Sequence, residues 1–363
     1  MSTSLSQLHF GNHLLVGISG PELNDADKRL LGDLKPVGIV FYGKNFLHNQ
    51  HYEVWLESFQ QLNAQIREYA ERDAMFMTID HEGGRVIRPP LPISRFPYTY
   101  FQRNRATSVA KAMAVELKSL GINLSWSPVA DIFSNPTNPI IGPRAFDITP
   151  EAAGKGAVEF FQGLRESGII ACAKHFPGHG DTSTDSHLEL PVLYLTLEEL
   201  RSRELIPFQM LIKENIPMIM TAHILFPKID RDVPGTLSKT ILQKLLREEL
   251  GFQGVVVSDD LDMKAVSDMY AQGGTVTKTF HAGCDLLMVS GNLPGSSLEK
   301  TYAIASDFAS SLNDGSLDES VVEASRVRVE SLLNITPQYP VEMLDKDSLL
   351  KHAELAIDCS FDK

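Results

Sequence analysis

Eight apolar runs punctuate this chain at intervals suited to one architecture. They span residues 13–18, 37–42, 75–79, 124–130, 169–173, 218–221, 254–258 and 285–289. Several are uninterrupted instead of alternating, which is what parallel strands buried on both faces require. Between and after them, residues 51–70, 109–120, 150–166, 197–213, 239–250, 298–312 and 319–333 carry apolar side chains at three- and four-residue spacing, the signature of helices with one buried face. Eight strand-helix units predict the α/β class and a single-domain (β/α)8 barrel of the TIM type over residues 8–335, with residues 336–363 as a C-terminal tail too short for a core of its own. Gly251 and Gly283 fall where helix C-caps are expected.

Composition narrows the partners. The 363 residues hold 33 Lys and Arg against 46 Asp and Glu, a net charge of −13, with the signs interspersed. A nucleic-acid backbone is therefore a poor partner. No apolar run approaches the roughly 18 residues of a membrane span, and the first ten residues lack the basic start and apolar stretch of a leader. The cysteines are three, Cys172, Cys284 and Cys359, and the first two lie in apolar sequence, so buried free thiols in a reducing compartment are expected. The expectation is a cytoplasmic monomer acting on a small molecule, without nucleic acid or membrane.

Residues 174–187 read KHFPGHGDTSTDSH, with three histidines, two aspartates and a lysine in a Gly/Pro-punctuated stretch. It begins where the run 169–173 ends, and strand C-terminal ends are where barrels build their sites. His175, His179, Asp181, Asp185 and His187 could together form a ligand set for Zn²⁺ or Mn²⁺. Asp259 follows the run 254–258, so its carboxylate projects at the barrel mouth; position alone serves a nucleophile or a helix cap equally. Asp80 and Lys174 also end strands, and a buried lysine is rare unless paired. Glu82 and Arg85 are expected as a structural ion pair. Phe41, Tyr42, Trp126 and Phe146 are expected in the core.

Five ordered segments carry a resemblance: residues 80–88 (DHEGGRVIR), 138–146 (NPIIGPRAF), 174–187, 220–223 (MTAH) and 257–263 (VSDDLDM). Over residues 10–335 the chain resembles glycoside hydrolase family 3, in particular bacterial β-N-acetylglucosaminidases of the NagZ type. The resemblance implies retaining exo-hydrolysis of a non-reducing terminal N-acetylglucosamine, in peptidoglycan recycling on muropeptide fragments or chitooligosaccharides, with no cofactor and no metal. It implies Asp259 as nucleophile and His187 as acid/base. Asp185, two residues earlier, can point the same way in an extended loop, orient the imidazole and raise its pKa. The same resemblance implies Asp80, Arg88, Arg144, Lys174 and His175 as the sugar-binding set. His223 and Asp131 are expected to border the pocket, and His179 and Asp181 to stabilise the loop that carries His187. Many larger relatives draw the acid/base from a second domain, so here the barrel must supply it. The alternatives are a β-glucosidase or β-xylosidase, a phosphorylase whose imidazole would not repel phosphate, and a non-catalytic sugar-binding barrel.

Overall fold

The computed structural model describes residues 10–184, 189–271, 273–293 and 297–361. Its centre is a closed barrel of eight strands: β1 (Leu14–Gly17), β2 (Gly38–Phe41), β3 (Phe76–Ile79), β4 (Leu124–Ser125), β5 (Ile170–Phe176), β6 (Met218–Thr221), β7 (Val255–Asp260) and β8 (Leu286–Val289). Every neighbouring pair is parallel and sequential, and β1 closes against β8 with Leu14, Val16 and Leu15 opposite Leu287, Val289 and Met288. The expected barrel is the observed one.

The uninterrupted runs have a direct cause. Side chains alternate faces along a strand, and both faces here are dry. Leu15, Val40, Phe76, Leu124, Cys172, Met218, Val255 and Val257 fill the barrel interior, joined by Val329, Leu332 and Leu333 of the helix Glu319–Ile335. Leu14, Val16, Ile39, Met77, Ala173, Ile219, Val256 and Leu287 face the surrounding helices instead. Leu124, fully buried in the interior, would cost about 2–5 kcal/mol as alanine.

Most helices follow the sequence closely: Tyr52–Ala70, Ala106–Ser119, Pro150–Glu166, Leu298–Asn313 and Glu319–Ile335. Two departures have local reasons. The stretch 197–213 is broken: a turn at Leu197–Glu199, a wide turn at Leu200–Glu204 closed by Leu205 N–H donating to Leu200 O at 2.9 Å, then the helix Ile206–Lys213. Pro207 has no N–H to continue the regular ladder. The run 124–130 pairs as a strand only at Leu124–Ser125, with an isolated bridge from Val129 to Lys174, because Pro128 cannot donate. The tail forms a helix, Lys346–Phe361, that packs on Ala106–Ser119. Its Cys359 is buried, as are Cys172 and Cys284, and none of the three forms a disulfide among the described residues.

Candidate active site

One cavity of about 440 Å³ opens at the C-terminal end of the strands. Six of the eight residues expected in the site line it: Asp80, Arg88, Arg144, Lys174, His175 and Asp259. Asp185 and His187 lie outside the described residues.

Strand β5 is the longest of the eight and carries Lys174 and His175 past the barrel rim. Lys174 Nζ stands 2.6 Å from Asp80 Oδ1 and 2.6 Å from Glu82 Oε1. Burial would lower its pKa, but these two carboxylates outweigh it and hold it raised. Asp80 is opposed by burial and carried the other way by Lys174 and Arg88, the latter 3.5 Å away, so it stays ionised. The expected salt bridge of a buried lysine is present in a residue that also faces the cavity.

Glu82 is the correction. Its expected partner, Arg85, instead donates to the carbonyls of Pro139 and Ile140 at 3.0 and 2.5 Å. Glu82 takes Arg144, with Nε to Oε2 at 2.8 Å and Nη2 to Oε1 at 2.9 Å. The reason lies in the hairpin of His81–Gly83 and Val86–Ile87. Gly83 and Gly84 turn it at φ +100° and +57°, and a Cβ on Gly84 would meet the Tyr98 ring at 2.2 Å. That turn leaves Glu82 buried and Arg85 exposed.

His175 rests on Asp131, whose Oδ2 is 2.7 Å from His175 Nδ1 and whose Oδ1 accepts from His179 N–H at 2.7 Å. Asp131 itself does not line the cavity, and neither does His223, contrary to expectation. His223 lies behind β7, with Nε2 3.2 Å from Asp260 O and Nδ1 2.7 Å from Thr236 Oγ1. His179 does line the cavity; burial pushes it down to about 4, and its Nδ1 is 2.8 Å from Thr182 Oγ1. Asp181 pairs with Arg203 at 2.8 Å, as a loop-stabilising residue should.

Asp259 sits near the end of β7, partly accessible, and its Oδ1 accepts from Asp260 N–H at 2.8 Å. Asp260 was not foreseen as a site residue, yet it lines the same cavity. Burial and the neighbouring Asp262 push its carboxyl up to about 6, while Ser290 donates to it from both N–H and Oγ. Phe41 and Phe146 are core residues as expected, whereas Tyr42 and Trp126 are buried but also meet the cavity. Among the described residues, no group of three or more His, Cys, Asp or Glu is placed to hold a metal ion.

A mouth-facing carboxylate in one cavity with a Lys-Asp-Arg-His set is equipped to bind sugar hydroxyls and to attack an anomeric carbon. The model of the glycosyl hydrolase family 3 N-terminal domain matches residues 5–332. The chain belongs to glycosyl hydrolase family 3. This family 3 chain is 35% identical over 302 residues to the β-hexosaminidase A of Pseudoalteromonas piscicida, covering 76% of the chain but 50% of that longer relative. It is 34% identical over 291 residues to the β-hexosaminidase of Idiomarina loihiensis, covering 78% of the chain and 84% of the relative. A family 3 β-N-acetylglucosaminidase from a Paenibacillus superposes on 99% of the chain and 68% of its own length, with a TM-score of 0.86 and 30% identity. NagZ from Neisseria gonorrhoeae superposes on 94% of the chain and 96% of its own length, with a TM-score of 0.73 and 29% identity. As a family 3 member the chain is a glycoside hydrolase.

Proposed function

We propose that the chain is a retaining exo-β-N-acetylglucosaminidase that releases non-reducing terminal N-acetylglucosamine from muropeptide fragments during peptidoglycan recycling in the cytoplasm, as a monomer. Asp259 attacks the anomeric carbon, the glycosidic C–O bond breaks, and His187 gives its proton to the departing oxygen. In the second half, His187 takes a proton from water, whose oxygen displaces Asp259 and regenerates the enzyme. Asp185 orients and charges the imidazole. Lys174, Asp80, Arg88, Arg144 and His175 hold the sugar hydroxyls.

The observation that carries this reading is that Asp259 shares a single cavity of about 440 Å³ with Asp80, Arg88, Lys174 and His175. That size lies within the roughly 300–1,000 Å³ usual for small-molecule sites. The β-hexosaminidase relatives and the NagZ structure supply the sugar's identity. The test is a panel of aryl β-glycosides differing only at the 2-position, run with and without phosphate. The expected result is preference for 2-acetamido over 2-hydroxyl, with N-acetylglucosamine as product. Preference for 2-hydroxyl would make the chain a glucosidase, and a phosphate-dependent sugar phosphate a phosphorylase. Muropeptide turnover by extracts with the gene deleted tests the recycling role: unchanged muropeptide levels would remove it.

A further inference from the structure

Beneath the turn that runs from Gly178 to Asp181 lies a carboxyl group that the mechanism does not use. Glu204, in the wide turn Leu200–Glu204, is 1% exposed. Its Oε1 is 2.7 Å from Arg203 Nε, while Oε2 is buried and has no hydrogen-bond partner among the described residues. The unpartnered oxygen is pressed against Gly178: a Cβ built there would lie 2.8 Å from Glu204 Oε2, and Gly178 is at φ +132°, so only glycine passes.

The charges around it are unbalanced. Arg203 divides its guanidinium between Glu204 and Asp181 Oδ2. Asp131, anchored to His175 and to His179 N–H, faces Glu204 from beyond β4, and Asp181 faces it from the turn itself. One cation is thus shared between two carboxylates with a third, Asp131, nearby, and the imidazoles of His175 and His179 turn to Asp131 and Thr182. A negative charge on buried Glu204 would be unpaired on its free oxygen and repelled from two sides, whereas a neutral carboxyl leaves Arg203 to Asp181.

We propose that Glu204 is a positioning residue for the reaction: in its protonated form it supports the turn 178–181, and through it the chain that runs on to Asp185 and His187. The turn is otherwise fastened from the opposite side, by Asn138 donating to the carbonyls of His179 and Gly180 at 2.9 Å each, and by Asp131. Burial, then Asp131 and Asp181, push the Glu204 carboxyl up to about 7 against the pull of Arg203. Because this folded value lies above that of the unfolded chain, the contribution to stability is whole at low pH and is lost as pH rises through about 7. The turn is therefore firm on the acid side of neutrality and loosened above it. The link to catalysis rests on the proposed acid/base role of His187; the anchoring of the turn does not.

Hydrogen exchange by mass spectrometry on the full chain, corrected for the intrinsic rate, reads the turn directly. In the parent, protection of the peptide holding Gly178 and His179 should fall by about tenfold between pH 6 and pH 8, one pH unit either side of half-ionisation. Glu204→Gln, neutral at both pH values, should stay protected at both and should exceed the parent in kcat/KM on chitobiose at pH 8 while matching it at pH 6. Equal parent protection at the two pH values overturns the proposal even if the variant does not fold. So does a variant whose exchange tracks the parent, or one that loses activity at both pH values, since that result would make the ionised pair with Arg203 the working form. If the exchange pattern holds but kcat/KM at pH 8 is unchanged, Glu204 is not a positioning residue. Failure of the His187 role would show separately, in that residue's own leaving-group series.

Discussion

Glu82 grips Arg144 with both carboxylate oxygens, at 2.8 and 2.9 Å, and on one of those oxygens also receives Lys174 Nζ at 2.6 Å. A single buried acid thus neutralises two cations from different parts of the chain. Glu82→Ala leaves Arg144 without its carboxylate and Lys174 with Asp80 alone, and removing one member of a buried pair costs about 3–5 kcal/mol. The expected outcome is a loss of that order in chemical denaturation, with a raised KM for the glycoside because Lys174 and Arg144 lose their places. Unchanged stability would mean that water or Asp80 takes over the charge.

Asp259→Ala should keep the fold and lose kcat by at least about 10⁴-fold, the scale seen when a covalent nucleophile is removed. A 2-fluoro or 5-fluoro glycoside should label the parent at Asp259. A label mapped to another peptide would reassign the nucleophile.

His187→Ala should separate substrates by leaving group. Loss of a general acid costs about 10²–10⁴-fold where protonation is needed, as for a sugar alkoxide, and little where a nitrophenolate departs. Equal losses on chitobiose and the nitrophenyl glycoside would leave His187 a structural residue.

Asp185→Asn should move the basic limb of kcat/KM to lower pH on a poorly activated substrate. An anionic neighbour stabilises imidazolium, so removing its charge lowers the histidine's pKa and the proton is lost earlier. An unmoved limb with full activity would dissolve the dyad.

Three buried histidines, His13, His81 and His179, are each pushed down to about 4, burial being the first cause in every case. Their folded values lie below the unfolded one of about 6.5, so the unfolded chain binds more protons between these limits. Their stability is present above about 6.5 and lost as pH falls through 4. Calorimetry should show Tm dropping across pH 6.5 to 4. His81→Asn should flatten the slope, because neither ring nitrogen of His81 has a hydrogen-bond partner among the described residues to lose, Nε2 lying 4.0 Å from Glu116 Oε2.

What was legible in the sequence follows from what is local. Apolar runs such as 218–221 announce strands because dryness on both faces needs no knowledge of neighbours, and Asp80, Lys174 and Asp259 were legible as strand-end polar residues. Partner choice was not. Arg85 is nearer to Glu82 in sequence than Arg144 is, and only the hairpin's turn decides between them. Asp260 with Ser290, Glu116 with His352 at 3.0 Å, and Glu204 under Gly178 are contacts between segments far apart in the chain, which no window of sequence displays. The helix Asp25–Leu34 did leave a sign, the capping box of Asn24 and Asp27. The short helices Lys264–Ala271 and Thr275–Ala282 left less, each spanning little more than two turns.

The join between β1 and β8 fixes the order in which the molecule can finish itself. Leu14, Leu15 and Val16 can pair with β2 as soon as it is made, but their other neighbours, Leu287, Met288 and Val289, emerge only after every other barrel strand. Until then the nascent sheet has two open rows of peptide groups, on β1 and on β7, surfaces that invite pairing with another chain. Closure is thus the step most exposed to aggregation, and substitutions within Leu286–Val289 should reduce the yield of native protein before they touch catalysis.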